Sequence, residues 1–158
     1  MKEQLMHWQG GDLVVTPNRC YSKKTKAFFF VGLLLLVLAF YLSIRVGDFW
    51  QMPLILGGCL TVSATVYDLL AVRKQIYIPK DGSMISVQTI FGKREIWNKQ
   101  EVEIVGRSAN YKQFMAIAHK SNPYGRAYQI SPYLTKRKIT ALFEKEILPI
   151  IINQLDAK

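Results

Sequence analysis

The residues able to carry chemistry in this 158-residue chain are few: two histidines, two cysteines, a pair of glutamates two apart on an expected strand, one acid in an apolar run and several groups of basic side chains. His7 and His119 lie far apart and form no paired-ligand motif such as His-Glu-x-x-His, so neither reads as a metal ligand. Cys20 precedes the first apolar run and Cys59 sits inside the second, a placement that reads as two free thiols. Glu101 and Glu103 are two apart on an expected strand and so share a face, as paired catalytic carboxylates would. A solvated strand face opposite Val102 and Ile104 accounts for them better. The chain has no glycine-rich phosphate loop and no nucleophile elbow. Composition and spacing therefore point away from an enzyme, a cofactor or a metal.

Basic residues offer binding instead. Lys80, Lys93 and Arg94 fall on expected turns, and Lys136, Arg137 and Lys138 crowd the start of the last expected helix. Cations beside free helix N–H groups form a place for an anion, such as a lipid phosphate or a partner's carboxylates. The plainer reading is a solvated basic face near an anionic leaflet, where each cation gains on the order of 1 kcal/mol without any pocket. Asp68 is the one acid within an apolar stretch, and an intramembrane acid is by default a proton or ion relay. It lies about a turn before Arg73 and Lys74, where pairing or hydration explains it without transport.

These side chains hang on two very different kinds of element. Ala27 to Ile44 is 18 residues without a charge, roughly 27 Å of helix at about 1.5 Å per residue. A second apolar run extends from Phe49 to Val72, with Pro53 in its first turn, where a missing N–H is harmless. Only Arg45 to Asp48 separates them, so the spacing predicts an antiparallel transmembrane hairpin with Tyr41, Phe49 and Trp50 at the far interface. Arg19, Lys23, Lys24, Lys26, Arg73 and Lys74 flank one side against Arg45 on the other, which places both termini in the cytoplasm. This asymmetry accounts for much of the +10 net charge without a nucleic-acid partner. Some 26 mostly polar residues precede the first run, which reads as an anchor rather than a cleaved signal. Gly32, Ala39 and Ser43 on the first helix, and Gly57, Thr61, Ala64, Thr65 and Asp68 on the second, form small-residue stripes expected to meet.

After residue 73 the pattern becomes short β-like runs: Gln75–Ile78, Met84–Ile90, Arg94–Trp97, Glu101–Val105, Gln113–Ala118 and Ala127–Ile130, parted by turn residues such as Pro79 to Gly82 and Asn122 to Gly125. Asp12 to Thr16 has strand character and could add an edge strand, with Trp8 at the membrane surface, or dock on another subunit. Thr135 is placed to cap a helix whose apolar residues Ile139, Leu142, Phe143, Ile147, Ile150 and Ile151 recur at three and four. Pro149 is expected to kink or end it, and residues 153–158 to fray. The expected fold is α+β: one antiparallel sheet of six or seven strands closed by a C-terminal helix. The segments are 1–26 (cytoplasmic), 27–72 (hairpin) and 73–158 (soluble domain).

Hairpin, short strands with Asp-Gly-Ser and Phe-Gly-Lys turns, and a terminal amphipathic helix together resemble bacterial membrane proteins carrying a pleckstrin-homology-like domain. More narrowly, Pro-Asn-Arg-Cys-Tyr-Ser (Pro17 to Ser22) before the first span and Ile-Ser-Pro-Tyr-Leu-Thr-Lys-Arg-Lys-Ile-Thr-Ala-Leu (Ile130 to Leu142) opening the last helix are similar to segments of an uncharacterised family of bacterial two-span integral membrane proteins. The resemblance runs from about Asp12 onward and implies an inner-membrane location but no activity. The expectation is a non-enzymatic accessory, assembly or scaffold subunit that contacts membrane lipids and a protein partner. A subunit of a transport or ion-conducting oligomer, for which Asp68 would be essential, and a membrane-bound toxin or immunity component are the alternatives.

Overall fold

The computed structural model describes residues 2–81 and 84–156, and the chain divides into two compact units. One is Tyr21–Val72; the other joins Met1–Cys20 to Arg73–Lys158. The N-terminal segment begins with a helical turn (α1, Lys2–Leu5) and a hairpin of β1 (Met6–Gln9) and β2 (Asp12–Val15). Gly10 and Gly11, at φ +62° and +96°, form its two-residue loop, a backbone path that glycine follows without steric cost.

The helical unit is α2 (Ser22–Arg45) and α3 (Gln51–Tyr67), the latter continuing through a π turn over Asp68–Val72. Both are long and apolar enough to cross a membrane, and only 11% and 17% of their most apolar windows are buried within the protein. A core helix of a water-soluble domain would be mostly covered. Large side chains instead point outward, among them Leu34, Val37, Phe40, Ile44 and Met52. What the helices bury is small: Thr25, Gly32 and Ala39 on α2, Gly57 and Ala64 on α3, each set at a spacing of seven. A Cβ on Gly57 would stand 2.8 Å from the Gly32 carbonyl oxygen and 3.0 Å from Leu35 Cβ; one on Gly32 would collide with Thr61 Oγ1. Thr61 Oγ1 donates to Gly57 O (2.7 Å) and Thr65 Oγ1 to Thr61 O (2.8 Å), so these hydroxyls are satisfied on their own helix. Ser43 and Thr65, expected in the seam, are exposed, because the seven-residue repeat carries them off the contact line. Gly47, at φ +79°, ends α2 with its N–H on Leu42 O (2.9 Å).

The other unit continues with β3 (Gln75–Ile78), β4 (Met84–Thr89), β5 (Gly92–Asn98), β6 (Val102–Ala109), β7 (Lys112–His119) and β8 (Ala127–Gln129). A single sheet of six or seven strands is not what forms. The strands make two antiparallel sheets, β1 to β5 in sequence order and β6 to β8. Two causes produce the difference: the N-terminal hairpin adds two strands, and a 3-10 turn at Lys99–Glu101 breaks the ladder after β5. Asn98 accepts the Gln100 N–H in that turn (3.3 Å), so Glu101 lies in the turn and does not share a strand face with Glu103. β2 pairs with β3 as well as β1, so Asp12–Val15 is an interior strand and β1 is the edge. Of the turn after β3, Gly82 and Ser83 lie outside the described residues.

The C-terminal helical segment comprises α4 (Arg137–Leu142), a π turn (Phe143–Ile147) and α5 (Leu148–Asp156). Lys136, not Thr135, is its N-cap residue, and no side chain caps it. Pro149 does not end the segment: a proline clashes with the carbonyl four residues earlier, and here that carbonyl, of Lys145, belongs to the wider π turn. Nor does the tail fray from residue 153, because Gln154 is buried and donates to Ile78 O (3.5 Å); Ala157 and Lys158 lie outside the described residues. Phe143, Ile147 and Ile151 are fully buried among Leu13, Ile76, Ile85 and Ile117 from the sheets. The four-residue spacing of these three aligns them on one helix face.

Candidate functional site

Strand β5 carries the first elements of a site. It starts at Gly92, whose φ of +118° follows the tight Ile90–Phe91 turn, and pairs with β4 at Thr89↔Gly92, Gln88↔Lys93 and Val87↔Arg94. Directly paired residues share a face, and neighbours along a strand do not. Arg94 shares the face of buried Val87, with its own side chain exposed, whereas Lys93 stands on the face of Gln88. There the Lys93 ammonium lies 4.7 Å from the Tyr77 ring, and the Tyr77 hydroxyl bonds Gln88 Oε1 (2.7 Å). A bulge follows: Ile85 pairs with Trp97 but Ser86 with Glu95, leaving Ile96 as the extra residue.

The inward face of this hairpin opens on a cavity of about 360 Å³ whose other walls come from Lys74, just before β3, and from Arg126 and Tyr128 at β8. Lys74 Nζ lies 5.1 Å and Arg126 Cζ 5.2 Å from the centroid of the Tyr128 ring, a cation–π arrangement for each. Trp97 stacks edge-on against the same ring at 5.2 Å. Lys74, Lys93, Arg94 and Arg126 line the cavity and no carboxylate does. Among the described residues none of these four cations has an ion pair. Burial, and secondly the Arg126 charge, hold the Lys74 ammonium below its ordinary value of 10.5.

That depression has a consequence for stability. Between the folded value and 10.5 the unfolded chain binds the proton and the folded chain does not, so stability rises with pH through this window. Below it, the folded state carries the full cost of the charge. Lys74→Met is expected to stabilise the sheet unit at pH 7 and to flatten the rise that leads up to pH 10.5, read as urea midpoints of the detergent-solubilised protein. A Lys74→Met midpoint below that of the parent at pH 7 would contradict this account.

No family model, no curated protein and no solved structure matches this chain. The arrangement of its own residues is therefore what bears on function. Of the basic residues singled out in the sequence, Lys93 and Arg94 line the cavity, both with exposed side chains. Lys136, Arg137 and Lys138 do not line it; all three are exposed at the start of α4. Lys80 is exposed too, its N–H on Asp12 Oδ1 (3.4 Å) and its carbonyl accepting from Lys99 Nζ (3.3 Å). Asp68 is half-buried at the start of the π turn that ends the second helix. Cys20 and Cys59 form no disulfide.

Among the described residues no group of three His, Cys, Asp or Glu side chains is placed to hold a metal ion. One arrangement has the connectivity of a hydrolytic relay: Ser121 Oγ is 2.7 Å from His119 Nδ1, and His119 Nε2 is 3.6 Å from Glu101 Oε2. The Ser121 N–H also points at Nδ1 (3.2 Å), and Lys120 N–H bonds Glu101 O (2.8 Å). These bonds describe a turn closed on itself at the end of β7.

Sequence reading missed Lys74 and Arg126 as site residues. Lys74 has an obvious second role as a charge flanking an apolar run, and Arg126 follows a turn with nothing local to distinguish it. The available signal was the aromatic at Tyr128 two residues from Arg126, since alternate strand residues share a face.

Proposed function

We propose that the protein is a non-enzymatic anchor of the bacterial inner membrane, in which the hairpin holds the sheet unit on the cytoplasmic side as an accessory, assembly or scaffold subunit of a larger complex. The observation that carries this reading is the apolar surface of α2 and α3, which the protein itself leaves uncovered. Leu34, Val37 and Phe40 are each about two-thirds exposed, and lipid is the solvent in which such a surface is stable. Six basic residues on one side of the pair against Arg45 on the other support cytoplasmic termini.

Partner engagement draws support from the sheet edges. β1 and β5 are the outer strands of the five-stranded sheet, with Trp8 exposed on the first and Phe91 on the turn before the second. An edge strand offers unpaired backbone groups to an added strand. The pleckstrin-homology-like and two-span family readings rest on the order of hairpin, antiparallel strands and terminal helix and on the two short motifs.

The test is purification of the tagged full chain from its native membrane in mild detergent, with mass spectrometry of what co-purifies at stoichiometric yield. A defined membrane complex is the expected result. Recovery in the alkaline-washed soluble fraction would remove the anchor reading, and a membrane-bound but partner-free protein would remove the subunit reading.

A further inference from the structure

We infer that the cavity between the β4–β5 hairpin and β8 is a phosphate-binding site, with Lys74, Arg94 and Arg126 as its cationic donors and Tyr128 as the platform that aligns two of them. Three features of its construction converge. First, it concentrates positive charge: half-buried Lys74 and exposed Arg126 share one ring, both within about 5 Å of its centroid, and no carboxylate lines the cavity to compensate them. A bound anion is what lowers the energy of such an arrangement.

Second, the elements that carry the donors are ordered, while the Arg94 and Arg126 side chains themselves reach solvent. Arg94 is fixed by strand register on the face of buried Val87, and the Ile96 bulge re-aims the end of β5. Tyr128 is itself buried and braced by Trp97. Third, the donor types fit the ligand. Two guanidinium groups present planar N–H forks suited to oxyanions, and an ammonium adds a point charge. Three cations exceed what a single carboxylate needs and suit the near-dianionic charge of a phosphate monoester at neutral pH. The volume admits a phosphate with part of the group that bears it.

The phosphate has two possible sources, the headgroup of a phosphomonoester lipid or a small soluble phosphate. This inference stands apart from the subunit reading, since the site would bind its anion whether or not a protein partner exists.

Trp97 supplies the probe, because it touches the Tyr128 ring. The full chain carrying Trp8→Phe and Trp50→Phe, so that Trp97 alone emits, is placed in nanodiscs of phosphatidylcholine and titrated with inorganic phosphate against sodium chloride of equal ionic strength. A parallel arm replaces part of the lipid with phosphatidic acid. The expected result is a saturable change in Trp97 emission with phosphate, with phosphatidic acid, or with both, and none with chloride. Response to inorganic phosphate assigns a soluble source, and response to phosphatidic acid alone assigns the headgroup. Lys74→Gln combined with Arg126→Gln is expected to weaken the response at least tenfold, whereas Lys112→Gln with Lys145→Gln, which removes two charges elsewhere, leaves it unchanged. Arg94→Gln serves as an independent variant should the double one misfold by circular dichroism. No saturable response in either arm, or equal weakening by the Lys112 and Lys145 pair, overturns the inference.

Discussion

Phe143→Ala is expected to lower the stability of the sheet unit by about 3–5 kcal/mol, the range for emptying a large aromatic from a closed core. Phe143 is fully buried, and it is the largest side chain in that state. It stands in the π turn that joins α4 to α5, one helical turn before Ile147 and two before Ile151. Both sheets deliver residues to the same cluster, Ile76 and Ile85 from the five-stranded one and Ile117 from the three-stranded one. Removing the ring therefore opens a void that neither sheet can fill without breaking its own ladder. Domains of this size are stable by only about 5–15 kcal/mol in total, so the loss is a large fraction. Urea titration of the detergent-solubilised protein carrying Trp8→Phe and Trp50→Phe, followed by Trp97 emission, measures it. Phe143→Leu should cost much less, because the volume is largely kept. Equal midpoints for Phe143→Ala and the parent would show that the helix does not close this core.

Gly57→Leu is expected to break the pairing of α2 and α3, while the same change at the next residue does not. A Cβ at Gly57 already meets the Gly32 carbonyl at 2.8 Å and Leu36 N at 3.0 Å, and both are backbone atoms that cannot swing aside. The helices would have to separate along their length, losing the dispersion contacts on which association in lipid depends. At Gly58 a Cβ meets nothing within 4 Å. The expected readout is a midpoint of SDS-induced unfolding lowered for Gly57→Leu, corresponding to about 1–3 kcal/mol or more, and near the parent value for Gly58→Leu. Identical behaviour of the two variants would remove the close crossing from the description of the hairpin.

The part of the candidate site legible in the chain was its chemistry, not its membership. Lys93 and Arg94 are visible as basic residues beside a glycine turn, yet strand alternation sends them to opposite faces, Arg94 to that of buried Val87, while both line the cavity with exposed side chains. Lys136 to Lys138 read as the more informative cluster because they crowd a helix start with free N–H groups, yet no aromatic platform or cavity gathers them there. Lys74, Arg94, Arg126 and Tyr128 span more than fifty residues of chain, and no local pattern connects them. The N-terminal hairpin, by contrast, was legible and unread: Gly10-Gly11 between His-Trp-Gln and Asp-Leu-Val-Val is a strong short-range hairpin signal.

What the amino-acid sequence by itself determined are the features that follow from composition and period. The two apolar helices need only uninterrupted hydrophobicity, six of the strands need only alternation between turn residues, and the face of the last helix needs only the four-residue recurrence of Phe143, Ile147 and Ile151. Each is set by neighbours within a few residues. The tertiary structure decided what depends on partners distant in sequence: that β2 is an interior strand, that the 3-10 turn at Lys99–Glu101 divides the ladder into two sheets, and that Lys74 and Arg126 meet over Tyr128. The physical reason is that strand pairing and charge clustering are energies between residues brought together by packing, and those energies have no counterpart in the local pattern of the chain.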